Sequence, residues 1–214
     1  MPQRCTTRAF TSVLALIASF GTASAAETDI TIGMQLEPPH LDPTSAAAGA
    51  IDNVVYSNIF EGLTRFMGDG SVVPGLAKSW DISDDGLRYT FHLRGDVQFH
   101  DGTAMDAADV KFSLDRARAE DSTNAQKALF AGIADVAVID PLTVALTLEA
   151  PNGNLLFNLA WGDAVIVAPE TIETIKSNPV GTGAFRFVNW VQGDRIDLAR
   201  NGTFKDDRVV FPNA

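Results

Sequence analysis

Residues 73–117 read VPGLAKSWDISDDGLRYTFHLRGDVQFHDGTAMDAADVKFSLDRA, and they decide the fold. A polar turn, Ser83-Asp84-Asp85-Gly86, opens onto a run in which Leu87, Tyr89, Phe91 and Leu93 alternate with Arg88, Thr90, His92 and Arg94. Successive side chains of a strand point to opposite faces, so this pattern predicts a strand with one buried face. Breaks at Gly95-Asp96 and Asp101-Gly102 then predict a loop. Asp106 stands three residues before Asp109, ahead of Val110, Leu114 and Ala117 at helical spacing. A carboxylate able to accept from the first free N–H groups of a helix, answered by a second acidic side chain three residues on, predicts a helix start.

Several strings along the chain resemble the extracellular solute-binding proteins of the dipeptide and oligopeptide type (family 5), the receptors of ABC importers. They are Val73 to Trp80, Asp85 to Arg94, Phe99-His100-Asp101-Gly102 and Ala108 to Leu114, with Val55 to Leu63 before them and Pro179 to Phe187 after them. The resemblance runs from about Asp29 to Asn201. It implies an α/β protein of the type II-like periplasmic binding class, here part of the large lobe plus a small inserted α/β domain, with the second lobe missing. The corresponding division is 1–26 signal peptide, 27–72 first part of the large lobe, 73–180 inserted domain and 181–214 return to the large lobe. Asp207-Arg208-Val209-Val210-Phe211 is similar to the strand by which the family crosses to its other lobe.

Composition sets the compartment. The net charge is −11, and the leader carries two of the 16 basic residues and none of the 27 acidic ones, so the mature chain stands at −13. Without a basic stripe there are no phosphate contacts to drive nucleic-acid binding, and anionic membranes would repel it. Arg4 and Arg8, the apolar run Val13 to Phe20 and the small residues Ala23-Ser24-Ala25-Ala26 predict a secretory leader, because the run is far shorter than the ~20 residues needed to span a bilayer. The one cysteine, Cys5, lies in that leader, leaving the mature chain no disulfide and no lipid-anchored cysteine. A soluble periplasmic protein follows.

Elsewhere, local signals predict a first strand over Asp29 to Met34, stopped by a loop from Gln35 to Thr44 with three prolines. Ile51, Val54, Val55, Ile59 and Phe60 predict an amphipathic helix within Ala46 to Leu63, and Leu63 to Phe66 a short strand. A short helix over Asn124 to Phe130, a hairpin of Ile133 to Ile139 with Leu142 to Leu148, another short helix over Asn154 to Trp161 and an apolar strand over Ala164 to Val167 follow. Pro169 suits the first position of a helix towards Lys176. Gly181 and Gly183 are expected to let the backbone turn before a last strand hairpin.

Chemistry for catalysis is not in evidence. His40, His92 and His100 have no helical i, i+4 pairing, and the His100-Asp101 pair, the best metal candidate, also reads as a simple turn. No nucleophile motif with its base stands out, and the pairs Asp84-Asp85 and Asp206-Asp207 sit in polar turns where carboxylates stay solvated. The chain is read as a binder, without cofactor, expected to act as a monomer. The resemblance implies a small-molecule or peptide ligand and an ABC permease in the inner membrane; peptides are the commonest solutes, while relatives bind nickel complexes, haem, glutathione or sugars. It also places Glu37, Pro38, His40, Leu41, Tyr56, Asn58 and Trp161 at the cleft wall. The acidic partner of a peptide's amino group falls, in peptide-binding relatives, outside the matched part. The alternative reading is a truncated, non-transporting remnant with an interaction or chaperone-like role.

Overall fold

The structure, a computed structural model, describes residues 29–205. The leader over 1–26 with Cys5, the Asp206-Asp207 pair and the crossover strand at Asp207–Phe211 lie outside the described residues. The chain divides into two units, Met1–Met34 and Gln35–Ala214. In the first, Asp29 to Met34 forms no strand, and Ile30 and Ile32 are 82% and 74% exposed. Alternation favours a strand only where a partner strand takes up the backbone hydrogen bonds, and none of the described strands pairs with this segment.

In the second unit, helix α1 spans Gly49–Val55, strands β1 (Thr64–Phe66) and β2 (Val72–Pro74) form a small hairpin, and β3 (Ala77–Ile82) and β4 (Arg88–Leu93) follow. Helix α2 spans Ala107–Arg118, and α3 spans Lys127–Phe130. Strands β5 (Ile133–Asp140) and β6 (Thr143–Leu148), helix α4 (Leu155–Asn158) and the hairpin of β7 (Phe185–Val191) with β8 (Arg195–Arg200) complete it. The central sheet is antiparallel with strand order β3-β4-β6-β5, and Phe91 of β4 pairs with Trp80 on one side and Val144 on the other.

β4 buries Tyr89, Phe91 and Leu93, the face its alternation predicts. Burying each such side chain contributes about 1.5–3 kcal/mol. The Ser83–Gly86 turn closes through Gly86 N–H to the Ser83 carbonyl at 2.8 Å, with Gly86 at φ +68°, a conformation that favours glycine. Asp85, exposed, accepts from the Ser83 hydroxyl at 2.6 Å and from Leu87 N–H at 3.0 Å. Asp106 is the N-cap of α2: its carboxylate accepts from Ala108 N–H at 2.7 Å, while Asp109 accepts from Asp106 N–H at 2.8 Å. α2 packs Val110, Leu114 and Ala117 against the sheet.

Two hydrophobic cores result. The first joins the central sheet to α2, α3 and α4; the second gathers Leu41, Ile51, Val54, Val55, Ile59 and Phe60 under the β7–β8 hairpin, where Phe187, Trp190, Ile196 and Leu198 cover it. The segment 164–168 serves both: Ala164, Ile166 and Ala168 face the first core, Val165 and Val167 the second. Its backbone is satisfied piecemeal: Val167 N–H donates to Ser113 Oγ at 2.9 Å, Ile166 N–H donates to the Glu61 carbonyl at 2.9 Å, and Val165 forms an isolated bridge with Gly62. The expected strand there is therefore an extended segment without a ladder.

Three further expectations are corrected. α1 stops at Val55 instead of running towards Leu63, because Ser57 takes a left-handed φ of +58° and the carbonyls of Asn58 and Ile59 accept from Phe185 and Gly183 N–H, each at 2.9 Å. Those acceptors are occupied by distant chain, so the helix cannot use them. Gly181 and Gly183 are not at positive φ; they are glycines because a Cβ would stand 2.0 Å from the Ile59 carbonyl oxygen and 2.3 Å from that of Asn58. Pro169 begins a short 3-10 turn, Pro169–Thr171, followed by further turns rather than a continuous helix.

Candidate ligand-binding surface

α1 delivers Tyr56 to the surface, where its hydroxyl donates to the Ala160 carbonyl, fixing the ring beside Trp161. Phe66, the last residue of β1, stacks on Tyr56 with centroids 6.2 Å apart and on Phe157 of α4 at 5.7 Å. Phe157 meets Trp161 edge-on at 6.2 Å and 78°. The four rings form a continuous strip, and Phe66, Phe157 and Trp161 remain 38–40% exposed. Aromatic rings left half in water present large, rigid apolar faces at low conformational cost, a surface suited to covering a solute.

Beside Tyr56 lies a cavity of about 130 Å³, bordered by Ser57, Glu61, Arg65 and Gly75. Sites that enclose a small ligand usually hold about 300–1,000 Å³, so this concavity is too small to enclose one by itself. Glu61 accepts from the Thr182 hydroxyl at 2.8 Å, and Arg94 donates through Nε to the Gly75 carbonyl at 2.8 Å. Burial pushes the Tyr56 phenol up and the Arg65 guanidinium down from their ordinary values, Glu61 opposing the latter. Behind Trp161, the Asp52 carboxylate lies against Gly162, where a Cβ would stand 2.7 Å from Oδ1. Burial, then the charge of Asp52, pushes the Asp163 carboxyl up to about 6.

The structure brings Tyr56 and Trp161 into this strip. Asn58 lies on the turn after α1, its side chain donating to the Val54 carbonyl at 3.0 Å. Glu37 caps the β7–β8 hairpin, accepting from Trp190 Nε1 at 2.9 Å and Gly193 N–H at 2.8 Å. Pro38 is buried; His40 is half-buried, burial holding its pKa below the usual value, and its Nδ1 accepts from Asp42 N–H at 3.2 Å. Leu41 is fully buried in the second core. None of these four is among the residues that line the cavity.

Sequence reasoning missed Phe66, Phe157 and Arg65. Phe157 stands four residues before Trp161, a spacing that places both on one face of a helical turn, so a signal for it existed. Arg65 in a three-residue strand carries no such signal. Among the described residues no three His, Cys, Asp or Glu side chains group as metal ligands. His100 is engaged instead at both ring nitrogens, with the Gly183 carbonyl at 3.0 Å and Gly181 N–H at 3.3 Å. Asp101 accepts from Thr103 N–H at 2.9 Å and from its hydroxyl at 2.7 Å.

Residues 71–212 match the model of the bacterial extracellular solute-binding proteins, family 5, middle region. The chain is 39% identical over 164 residues to the glutathione-binding protein GsiB of Pectobacterium atrosepticum, covering 75% of this chain and 32% of that one. Among solved structures it is similar to NikZ of Campylobacter jejuni in complex with Ni(L-His), at TM-score 0.71 and 32% identity over 79% of this chain and 34% of the other. It is similar also to the periplasmic binding protein DppA of Helicobacter pylori in complex with the peptide STSA, at TM-score 0.71 and 29% identity, covering 78% and 38%. The chain thus spans about a third of the length of the curated relatives it matches. Its α/β fold is that part of the type II periplasmic binding fold which β1 to β8 supply. By the match of its middle region and the agreement of its fold, the chain belongs to the bacterial extracellular solute-binding proteins of family 5.

Proposed function

We propose that this chain supplies a solute-binding wall of a periplasmic receptor that delivers its ligand to an ABC permease in the inner membrane. The observation that carries the reading is the half-exposed strip of Tyr56, Phe66, Phe157 and Trp161 at the edge of a concavity, in a chain of this family. A peptide or peptide-like solute fits it, since side chains stack on rings while a polar backbone remains free for hydrogen bonds. Relatives named for glutathione and for a bound peptide agree with that class. In this reading residues 73–180 are the inserted domain between two portions of the large lobe, 27–72 and 181–214, and residues 1–26 are the export signal. No described helix is long and apolar enough to cross a membrane. No structural observation favours a remnant with a chaperone-like role.

A thermal-shift screen of the purified chain against di- and tripeptides, glutathione and nickel–histidine tests the reading. Stabilisation follows ligand concentration over Kd, about 2.7 kcal/mol at a hundredfold excess. A saturable rise in Tm with one of these classes is expected; a cooperatively folded chain that responds to none of them contradicts the proposal.

A further inference from the structure

Arg65 has no function in the packing just described. It lies in β1 between Thr64, which is fully buried and donates to the Leu156 carbonyl at 2.6 Å, and Phe66 of the aromatic strip. Its side chain borders the cavity beside Tyr56. Its Nε is screened from solvent yet has no hydrogen-bond acceptor, and the guanidinium donates no hydrogen bond to any described residue. A partly buried guanidinium without an acceptor is costly: each unmet donor loses its water without recompense, and charged donors lose most. Native structures keep such groups where something else completes them.

The local charge points the same way. Arg65 and Arg94 stand within each other's field, with Glu61 the acidic group that acts on Arg65. The net charge of the chain as a whole is −11. Within that acidity, a guanidinium at the cavity wall with an unmet Nε donor draws an anionic group to one defined place. Ser57, at the same cavity, is the non-glycine residue held at positive φ among the described residues, a conformation that costs energy and recurs at binding sites.

We infer that Arg65 is a carboxylate-binding residue: it receives the free carboxylate of a small solute whose apolar part lies on the strip of Tyr56, Phe66, Phe157 and Trp161. The planar guanidinium offers two parallel N–H donors to the two carboxylate oxygens, a pairing that a lysine cannot reproduce. Tyr56 does not compete, since its hydroxyl is already given to the Ala160 carbonyl. The inference rests on the receptor reading and deepens it, naming a peptide-like acid bound through its carboxylate.

The test uses the full chain and two probes that differ at one group, the tripeptide Ala-Ala-Phe as free acid and as C-terminal amide, titrated by calorimetry. A charge-assisted hydrogen bond contributes about 1.5–3 kcal/mol, so the acid should bind at least about tenfold more tightly than the amide. In Arg65→Met that preference should collapse, with the amide's affinity unchanged, and Arg65→Lys should recover part of it. Acid and amide binding alike to the unmodified chain, a comparison that needs no variant to fold, overturns the inference while leaving the receptor reading intact. Equal weakening of both probes by Arg65→Met does the same. Failure of the folded chain to bind either probe overturns the inference, while the receptor reading is decided separately by the thermal-shift screen.

Discussion

His100 Nε2 lies 3.0 Å from the carbonyl oxygen of Gly183, 83 residues further along the chain. The contact is doubled: His100 N–H donates to the Gly181 carbonyl at 2.8 Å, and Gly181 N–H approaches His100 Nδ1 at 3.3 Å. The ring must therefore be neutral, with its proton on Nε2 and its lone pair on Nδ1. One imidazole ties the loop between β4 and α2 to the glycine segment that leads into β7.

This latch predicts a pH dependence. Burial first, and the charge of Arg186 on β7 in addition, hold the His100 pKa below the usual 6.5, against the Gly183 carbonyl and Asp101. The unfolded chain therefore binds the proton before the folded one as pH falls. The stabilisation is complete above pH 6.5 and is lost as pH drops through the folded value. Melting curves from pH 7.5 to 5 should show Tm falling faster in the native chain than in His100→Gln, which cannot titrate; parallel curves would refute the latch.

Asp163 titrates in the opposite sense. Its folded pKa of about 6 lies above the ordinary 3.8, so the favourable contribution is present below pH 3.8 and is lost as pH rises through 6. At pH 7.5 a shift of this size corresponds to about 3 kcal/mol, which solvent screening of the partly buried carboxylate beside Asp52 reduces to about 2 kcal/mol. Asp163→Asn should raise Tm at pH 7.5 by roughly 4–8 °C and leave it unchanged at pH 3.5. An equal effect at both pH values would show that the carboxylate's charge is not the cause.

The glycine segment offers a steric test. An alanine Cβ at position 183 would meet the Asn58 carbonyl oxygen at 2.3 Å and its carbon at 2.8 Å, both backbone atoms that cannot swing aside. Gly183→Ala should therefore destabilise by about 1–3 kcal/mol or more in urea unfolding. Gly132→Ala, where nothing lies within 4 Å, should cost far less and serves as the control.

How much of this was legible in the sequence depends on how local each signal is. The Asp106–Asp109 capping box and the buried face of β4 involve residues within one turn or one strand, and both stand as read. The end of α1 was not legible, because Ile59 and Phe60 continue a helical apolar pattern while the carbonyls of Asn58 and Ile59 are claimed by residues more than 120 positions away. The glycines at 181 and 183 were visible as unusual, yet their reason, close approach to that same turn, is a tertiary fact. Of the proposed cleft wall, Tyr56 and Trp161 were named from the family resemblance, whereas Phe66 and Arg65 enter only through the pairing of β1 with its surroundings.

Helix α2 gives a further expectation of known size. Removing its cap in Asp106→Ala frees Ala108 N–H, a loss of about 1 kcal/mol, while the Asp109 carboxylate keeps the backbone N–H of position 106. Equilibrium unfolding should show it as a lower midpoint at unchanged slope. An unaltered midpoint would mean that the capping box adds nothing beyond the packing of Val110 and Leu114.

The central claim is that the aromatic strip covers a solute, and the most direct measurement is calorimetric titration of the stabilising ligand from the thermal-shift screen into the native chain, Tyr56→Ala and Trp161→Ala. Truncating a ring that stacks on a ligand removes more than about 1 kcal/mol, so each variant should bind at least about fivefold more weakly while its circular dichroism stays native. Folded variants that bind with the native chain's affinity would contradict the account, because the solute would then be held on another surface.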